Sequence, residues 1–344
     1  MKKHTNLFNT ILLIAAVSLP AISIAANGDD IDKKKNISKT YTVSSSDKLE
    51  IENSFGNVVI NTWDKNEIKV DVEIGAKASS EEKAQEMLDE ISVKDSRSGN
   101  TISWNTDIGD INENRHGKHK NNDENDRKFY IDYTVYMPAS NALTIENSFG
   151  KIKVPDFKGQ VNLTSKFGGL TTGNLADVDE IDVEFGTAEL GSLHNGDITF
   201  KFNSKSIIEK ISGSVKLKSE FSGDVQFSVD NNIQELSVYE SYSTIQMVVN
   251  KALSAKFDVH TSFGNFRNGT DFTINEEKDE DTGPKFDRDY SGQSGDGKAK
   301  IKIKSSFGKV RISDSNDKSG TSKNDSDNDN DDDEKKAKVK SKDK

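Results

Sequence analysis

Apolar and polar residues alternate along most of the chain in a pattern that repeats. An aliphatic residue is followed four positions later by an aromatic residue, usually then by glycine, and three positions after the aromatic by another apolar residue. The clearest copies are LEIENSFGNVVI from Leu49, LTIENSFGKIKV from Leu143 and IKIKSSFGKVRI from Ile301. Alternation with a period of two is typical of half-buried β-strands, so the pattern predicts many short strands.

The aromatic positions recur at nearly constant spacing, every 17–21 residues between Phe149 and Phe263. A unit of this size cannot bury its own apolar face and must stack on copies of itself. The sequence therefore predicts an all-β fold, a single parallel β-solenoid over residues 41–313 with coils of about 18–21 residues. A β-sandwich is less well supported, because the offsets within each copy are the same. The nine aromatic positions are Phe55, Phe149, Phe167, Phe185, Phe202, Phe221, Tyr242, Phe263 and Phe307.

We expect these aromatic residues to form a structural ladder inside the coil, because they keep register with the aliphatic residues four positions earlier. A carbohydrate-stacking strip on the outside is the alternative interpretation. The glycine after each aromatic residue is expected to supply the positive φ of a corner.

Three segments interrupt the repeat. Residues 79–91 read as one short helix in an N-terminal excursion, with Ser79 as N-cap, Glu82 completing a capping box, and apolar residues at helical spacing. Residues 105–128 and 268–297 read as inserted loops. The second holds a possible binding loop with Glu276, Asp279, Phe286 and Tyr290.

Both ends of the chain differ from the repeat. Lys2 and Lys3 precede an apolar run, and small residues around Ala25 form a cleavage site. Residues 1–25 are therefore predicted to be a secretory signal peptide, followed by a linker over 26–40. Residues 314–344 hold almost nothing to bury and are predicted to be disordered.

Composition narrows the class of protein. The net charge is −11 and there is no cysteine, so we expect no disulfide, no thiol chemistry and no nucleic-acid binding. No segment after the signal peptide is apolar enough for a membrane span. The predicted location is the periplasm, the outer envelope or the cell surface.

The run I-E-N-S-F-G at Ile51 and again at Ile145, with the helical SEEKAQEMLD from Ser80 between them, resembles the putative-adhesin family of exported bacterial β-strand repeat proteins. The resemblance covers residues 41–313. It implies a β-solenoid on the cell envelope with an adhesin-like, non-enzymatic binding or structural role. The family has no catalytic motif to carry over.

Catalysis remains an alternative, because glycoside chemistry needs paired carboxylates about 5–10 Å apart. The candidates are Asp179, Asp182, Glu184, Glu220 and Glu240. Ser148 and Lys166 hold the position of Glu184 in earlier coils, so no acidic groove is predicted and we do not expect an enzyme. A polysaccharide-active β-helix enzyme and an envelope-stress regulatory partner remain open alternatives.

We expect no cofactor and no metal site with a complete set of ligands. The tail alone carries a calcium-like pattern, with Asp325, Asp327, Asp329, Asp331 and Asp333 at alternate positions. It lacks the glycine and the terminal glutamate of an EF-hand loop, so weak Ca²⁺ association is the most it predicts. The expected partner is an unidentified envelope protein or a glycan.

Overall fold

The computed structural model describes residues 31–109, 128–277 and 286–314, which form 22 strands and one helix. The strands before the helix are β1 (Ile31–Thr42), β2 (Lys48–Ser54), β3 (Val58–Thr62) and β4 (Glu67–Ala78), and the helix is α1 (Glu81–Glu90). The next are β5 (Ser92–Ser98), β6 (Thr101–Asp107), β7 (Lys128–Met137), β8 (Ala142–Ser148), β9 (Lys151–Val154), β10 (Phe157–Lys166), β11 (Gly169–Thr172) and β12 (Leu175–Glu184). The last are β13 (Thr187–Lys201), β14 (Lys205–Glu220), β15 (Asp224–Ser241), β16 (Thr244–Val249), β17 (Ala255–Ser262), β18 (Asn265–Gly269), β19 (Thr273–Glu276), β20 (Asp287–Ser294), β21 (Ala299–Ser306) and β22 (Lys309–Asp314).

The N-terminal excursion is an antiparallel arrangement with the helix packed on it. Strand β4 pairs antiparallel with β1 and with β7, so residues 31–40 belong to a strand rather than to the predicted linker. The helix is present, and Ala84, Met87 and Leu88 form its buried face. Its N-cap is Ser80, whose side chain accepts a hydrogen bond from the Lys83 amide. The predicted N-cap Ser79 is therefore wrong by one residue, and Lys83 stands where a capping box requires Glu or Gln.

Beyond the excursion, successive copies of the repeat pair in parallel. Each copy is called a coil below. Strand β10 lies between β8 and β12, and Leu163 is level with Ile145 on one side and Ile181 on the other. After each aromatic residue, a second row of parallel pairs runs through β9, β11, β13 and β14. The pairings of β1, β5, β19 and β20 are antiparallel. The sheet is mixed and open, so a wholly parallel β-solenoid is not confirmed.

The core consists of the aliphatic rows that the repeat predicts. The residue four positions before each aromatic is buried in every copy: Ile51, Ile145, Leu163, Ile181, Ile198, Leu217, Val238, Val259 and Ile303. Three positions after the aromatic, Val58, Ile152, Leu170, Ile245, Phe266 and Val310 are buried too. These rows form one continuous core with the excursion.

The aromatic residues themselves do not point into the core, and this corrects the predicted inward ladder. Eight of the nine are 47–55% exposed, and Phe55 is half-buried. All nine have φ between 49° and 61°, the left-handed region that non-glycine residues rarely adopt. The residues two and four positions before each aromatic residue are buried. The left-handed backbone interrupts this alternation at the aromatic residue, so its ring turns outward.

The glycine that follows the aromatic has a different role from the predicted one. Gly168 and Gly186 are not among the residues with positive φ. A Cβ added to Gly168 would lie 1.8 Å from the carbonyl oxygen of Gly150, and one added to Gly186 would lie 2.0 Å from that of Gly168. Glycine is required at these corners because consecutive coils touch backbone to backbone.

The last coil is inserted out of chain order. Strand β21 pairs in parallel with β15 on one side and β17 on the other, and β22 lies between β16 and β18. The inserted loop predicted for 268–297 is partly regular structure. Strand β20 pairs antiparallel with β17 and with β19, and so covers the end of the stack.

Several predictions lie outside the described residues. These are the signal peptide over 1–25, most of the loop over 105–128, Asp279, and the aspartates of the C-terminal tail.

The outward orientation sets the expected effect of removing a ring. Phe185→Ala should lower the free energy of unfolding by about 1–3 kcal/mol, because it removes two stacking contacts from a half-exposed side chain. Phe200→Ala, at a fully buried position, should cost about 3–5 kcal/mol. Urea denaturation of both variants tests this. Phe185→Asn, which tolerates positive φ, is the control for backbone strain, and equal losses for Phe185→Ala and Phe200→Ala would contradict the outward position.

Two adjacent glycines provide a matched test of the corner. Gly168→Ala should destabilise the fold by about 3 kcal/mol or more, because the new methyl group overlaps backbone that cannot move freely. A Cβ on Gly169 would meet nothing closer than 3.4 Å, so Gly169→Ala should stay within about 1 kcal/mol of the wild type. Thermal and urea unfolding of the pair measure this, and similar stabilities would refute the close backbone contact.

Candidate functional site

The outward aromatic residues form one continuous stack along the corner of the coils. Neighbouring rings from Phe55 to Phe263 have centroids 4.7–5.3 Å apart and lie within 10° of parallel. Phe307 lies between Tyr242 and Phe263 because its coil is inserted there. Phe129 extends the stack at one end and Phe286 at the other. We call these eleven side chains the aromatic ridge.

The backbone fixes the line of the ridge. In eight of the nine corners the amide of the left-handed aromatic residue donates to the carbonyl just before the aromatic residue of the neighbouring coil, for example Phe167 to Glu184 at 2.9 Å and Phe185 to Lys201 at 3.0 Å. The amide of Phe263 donates to the carbonyl of Phe286 at 2.8 Å. The rings therefore follow the strand spacing, and ten steps of about 4.8 Å give a ridge roughly 50 Å long.

The exposed apolar area of the ridge is large for a single chain. Nine of the eleven side chains are about half exposed, and Phe55 and Phe129 are half-buried. The exposed total is on the order of 1,000 Å² for side chains of this size. The largest apolar patch on a typical monomer is about 300–600 Å², and larger patches mark interaction sites. The ridge is therefore the strongest candidate for a binding surface among the described residues.

The orientation of the rings limits what can bind. Because each ring covers the face of the next, the ridge presents ring edges outward, and ring faces only at its two ends. Sugars stack on aromatic faces, so the geometry does not fit the carbohydrate-stacking strip that the sequence left as an alternative.

The strand segments before the aromatic residues form one outer surface, here called the upstream face. It is highly charged, with both signs mixed, and many of its charges are paired within the chain. Its ion pairs are Lys166–Glu146, Lys201–Glu184, Lys216–Asp197, Lys218–Glu220 and Lys302–Asp258, at 2.8–3.9 Å. The exposed lysines Lys256, Lys300 and Lys304 have no ion pair among the described residues. Because positive and negative side chains are mixed on the upstream face, neither sign of charge is in strong excess there.

The strand segments after the aromatic residues form the downstream face, made of β3, β9, β11, β16, β18, β22 and the first parts of β13, β14 and β15. Its outward acids include Glu189 and Asp224, and Glu209 follows on β14. Five exposed cations on this face have no ion pair among the described residues: Lys151, Lys153, Lys205, Arg267 and Lys309. In a chain of net charge −11, the downstream face is locally cationic.

Two of the candidate carboxylates, Asp182 and Glu184, lie on the upstream face. They are two positions apart on β12 and share one side of the sheet. Burial raises the pKa of Asp182, and its Oδ1 has no hydrogen-bond partner. Glu184 is held by Lys201 at 2.9 Å. The cavity beside the helix and the cavity lined by Phe157 and Leu175 do not include these residues.

Glu240 is not part of an acidic groove. It is buried, its Oε1 accepts a hydrogen bond from the Ser243 amide at 2.6 Å, and its Oε2 accepts one from the Ser305 hydroxyl. A Cβ on Gly308 would lie 1.9 Å from this carboxylate. Burial raises the pKa of Glu240. The side chain therefore joins the inserted coil to its neighbour inside the stack.

The residues of the predicted binding loop are spread over different environments. Phe286 is 57% exposed and stacks on Phe263. Tyr290 packs against Phe266 and the core. Glu276 lies 3.9 Å from Arg288 in β20. The structure therefore adds Phe286 to the ridge and uses Tyr290 for packing.

Within the described residues, no group of three or more histidine or acidic side chains is arranged to hold a metal ion. The same part of the chain contains no helix with the length and apolar character needed to cross a membrane.

Comparison with known proteins assigns no family. No protein-family model matches the chain, and no curated protein matches it either.

Some solved structures are similar over most of the chain. One, described as a putative cell adhesion protein from Clostridium sporogenes, is 15% identical and covers 82% of this chain and 100% of its own, with a TM-score of 0.25. A putative adhesin from Bacteroides fragilis is 12% identical and covers 81% and 97%, with a TM-score of 0.31. A putative lipid binding protein from Parabacteroides distasonis is 12% identical and covers 80% and 96%, with a TM-score of 0.28. Scores this low carry no argument about fold or function.

Sequence reasoning found the aromatic residues of the ridge but missed its exposure and the cationic downstream face. One signal was available. The residue two positions before the aromatic varies from Ser165 to Val183 to Phe200, as core positions do when they fill irregular space. The aromatic position hardly varies, as expected of a surface row with one repeated role.

The buried carboxyl group of Glu240 should make the stability of the fold depend on pH. Its raised pKa means that the folded state favours the protonated carboxyl group, so this contribution to stability is complete below the ordinary pKa and is lost as the pH rises through the raised one. The stability of Glu240→Gln relative to the wild type should therefore increase between pH about 4 and pH about 8. Urea denaturation across this range measures it, with Glu220→Gln on the upstream face as the control for lost charge. A difference between Glu240→Gln and the wild type that does not change with pH would contradict the buried carboxyl group.

Proposed function

We propose that this protein is an exported component of the cell envelope that acts as a non-enzymatic, adhesin-like binding or structural scaffold, with the aromatic ridge as its contact surface. The observation that carries the proposal is the exposure of a straight row of aromatic side chains over most of the stacked coils. Export rests on the predicted signal peptide.

The backbone gives independent support. Left-handed φ values at non-glycine residues cost about 1–3 kcal/mol each, and glycine or asparagine would relieve that strain at each corner. Aromatic residues nevertheless stand at all nine corners. Stacking offsets part of the strain, at about 0.5–1.5 kcal/mol for each pair. Stacking alone does not explain why most of the rings are exposed to solvent, whereas a contact surface does.

We further propose that the parallel part of the sheet is a β-solenoid in which each coil adds one ring to the ridge. The offsets of 17–19 residues between paired positions in β10, β12, β13 and β14 support this. The antiparallel strands then act as end structures, which protect the open edges of a stack.

The proposal is tested by attachment to isolated cell envelopes. Replacing Phe167, Phe185 and Phe221 together by Asn removes three rings while keeping residues that tolerate positive φ. Co-sedimentation with envelopes should fall at least tenfold, because the apolar contact area is interrupted along its length. The matched control replaces Lys216, Lys218 and Lys302 on the upstream face by Gln.

Attachment of the ring variant at the level of the wild type, with both folded by circular dichroism, would refute the ridge as the contact surface. The enzymatic alternative is tested with a panel of uronates and neutral glycans. If the protein cleaves one of these glycans and the activity disappears in Asp182→Asn or Glu184→Gln, the scaffold proposal is wrong and the protein is a polysaccharide-active enzyme.

A further inference from the structure

The aromatic ridge separates two outer faces that differ in charge. The upstream face mixes lysines with a similar number of acids, and many of these charges are paired within the chain. The downstream face holds five exposed cations without an ion pair among the described residues and fewer outward acids. From this asymmetry we propose that the ridge and the downstream face bind the surface of an anionic phospholipid membrane. This partner rests on the proposed function, because it uses the same ridge.

The shape of the ridge fits a planar, fluid partner. The rings stand in a line with steps of 4.7–5.3 Å, so their outer edges reach a common depth along roughly 50 Å. Acyl chains need no aromatic face and no fixed geometry, and an apolar stripe at the boundary of headgroups and acyl chains is stabilised by the area it buries. The outward ring edges supply such a stripe.

The cations of the downstream face supply the second interaction. Lys151 and Lys153 lie beside the ridge at the coil of Phe149, and Lys309 and Arg267 lie beside it near the other end. Cations next to an inserted apolar stripe attract anionic headgroups, at about fivefold in affinity for each residue near the surface. Their separation along the face spreads the attraction over the length of the ridge.

A second copy of the chain fits the ridge less well. Rings stacked at 4.7–5.3 Å leave no gap for rings of a partner, so two ridges would meet only along their edges. The upstream face of a second copy carries acids, but Glu146, Glu184 and Glu220 among them already have lysine partners. A docked copy would have to compete with these ion pairs.

The test is co-sedimentation of the purified full chain with vesicles of phosphatidylcholine alone and with vesicles that also contain phosphatidylglycerol. Three triple variants are compared with the wild type. The ridge variant is Phe167→Asn, Phe185→Asn and Phe221→Asn. The downstream variant is Lys151→Gln, Lys153→Gln and Lys205→Gln. The upstream control is Lys216→Gln, Lys218→Gln and Lys302→Gln.

The wild type should bind the anionic vesicles more tightly than the neutral ones, and added salt should reduce the difference. The ridge variant should lose at least tenfold on both kinds of vesicle. The downstream variant should lose at least tenfold on the anionic vesicles alone. The upstream control, which removes the same charge from the other face, should bind as the wild type does.

Three results would overturn the membrane proposal: no sedimentation of the wild type with either vesicle, equal losses in the downstream variant and the upstream control, or self-association in lipid-free buffer that the ridge variant abolishes. The last result would assign the ridge to a second copy. Envelope attachment that depends on the ridge and survives extraction of lipids would retain the proposed function while refuting the lipid partner.

Discussion

The spacing between paired parallel strands governs most of this molecule. Successive coils are held about 4.8 Å apart by backbone hydrogen bonds, so residues at equivalent positions in neighbouring coils are forced into contact whatever their type. Inside, this requirement produces continuous aliphatic rows. At the corner it leaves no room for a Cβ on Gly168 or Gly186, and it brings the aromatic rings to the separation at which offset stacking is favourable.

This spacing explains why local strain at the corner can be repeated nine times. A single phenylalanine in the left-handed region would be an isolated cost to the fold. Here each such residue donates its amide to a neighbouring segment of the stack and stacks on two neighbours, as Phe185 does between Phe167 and Phe202. Because every coil helps to hold the next, the conformation is determined by the stack rather than by the preference of the residue.

The same reasoning separates what the sequence could and could not predict. The strands and the buried rows through Ile145 and Leu163 were predictable, because a period of two reports burial directly. The outward turn at Phe149 was not, because aromatic residues do not signal positive φ and the alternation was extended through that residue. The inward position of Glu240 was within reach, since Asn147 and Ser165 precede their aromatic residues by the same two positions and are also buried. The position of the last coil, between the coils of Tyr242 and Phe263, could not be predicted from the sequence. All copies of the repeat present nearly the same surfaces to a neighbour, so the pattern does not say which copies are adjacent.

The insertion of the last coil also bears on the candidate site. Without β21 and β22, the coils of Tyr242 and Phe263 would be separated by an open slot, and Glu240 would lose its partner Ser305. Phe307 would be missing between Tyr242 and Phe263, and the ridge would be divided in two. Lys309 would be absent from the downstream face as well. The coil that is last in chain order therefore completes the core, the aromatic ridge and the cationic face together, so the ridge is continuous only when this end of the fold is closed.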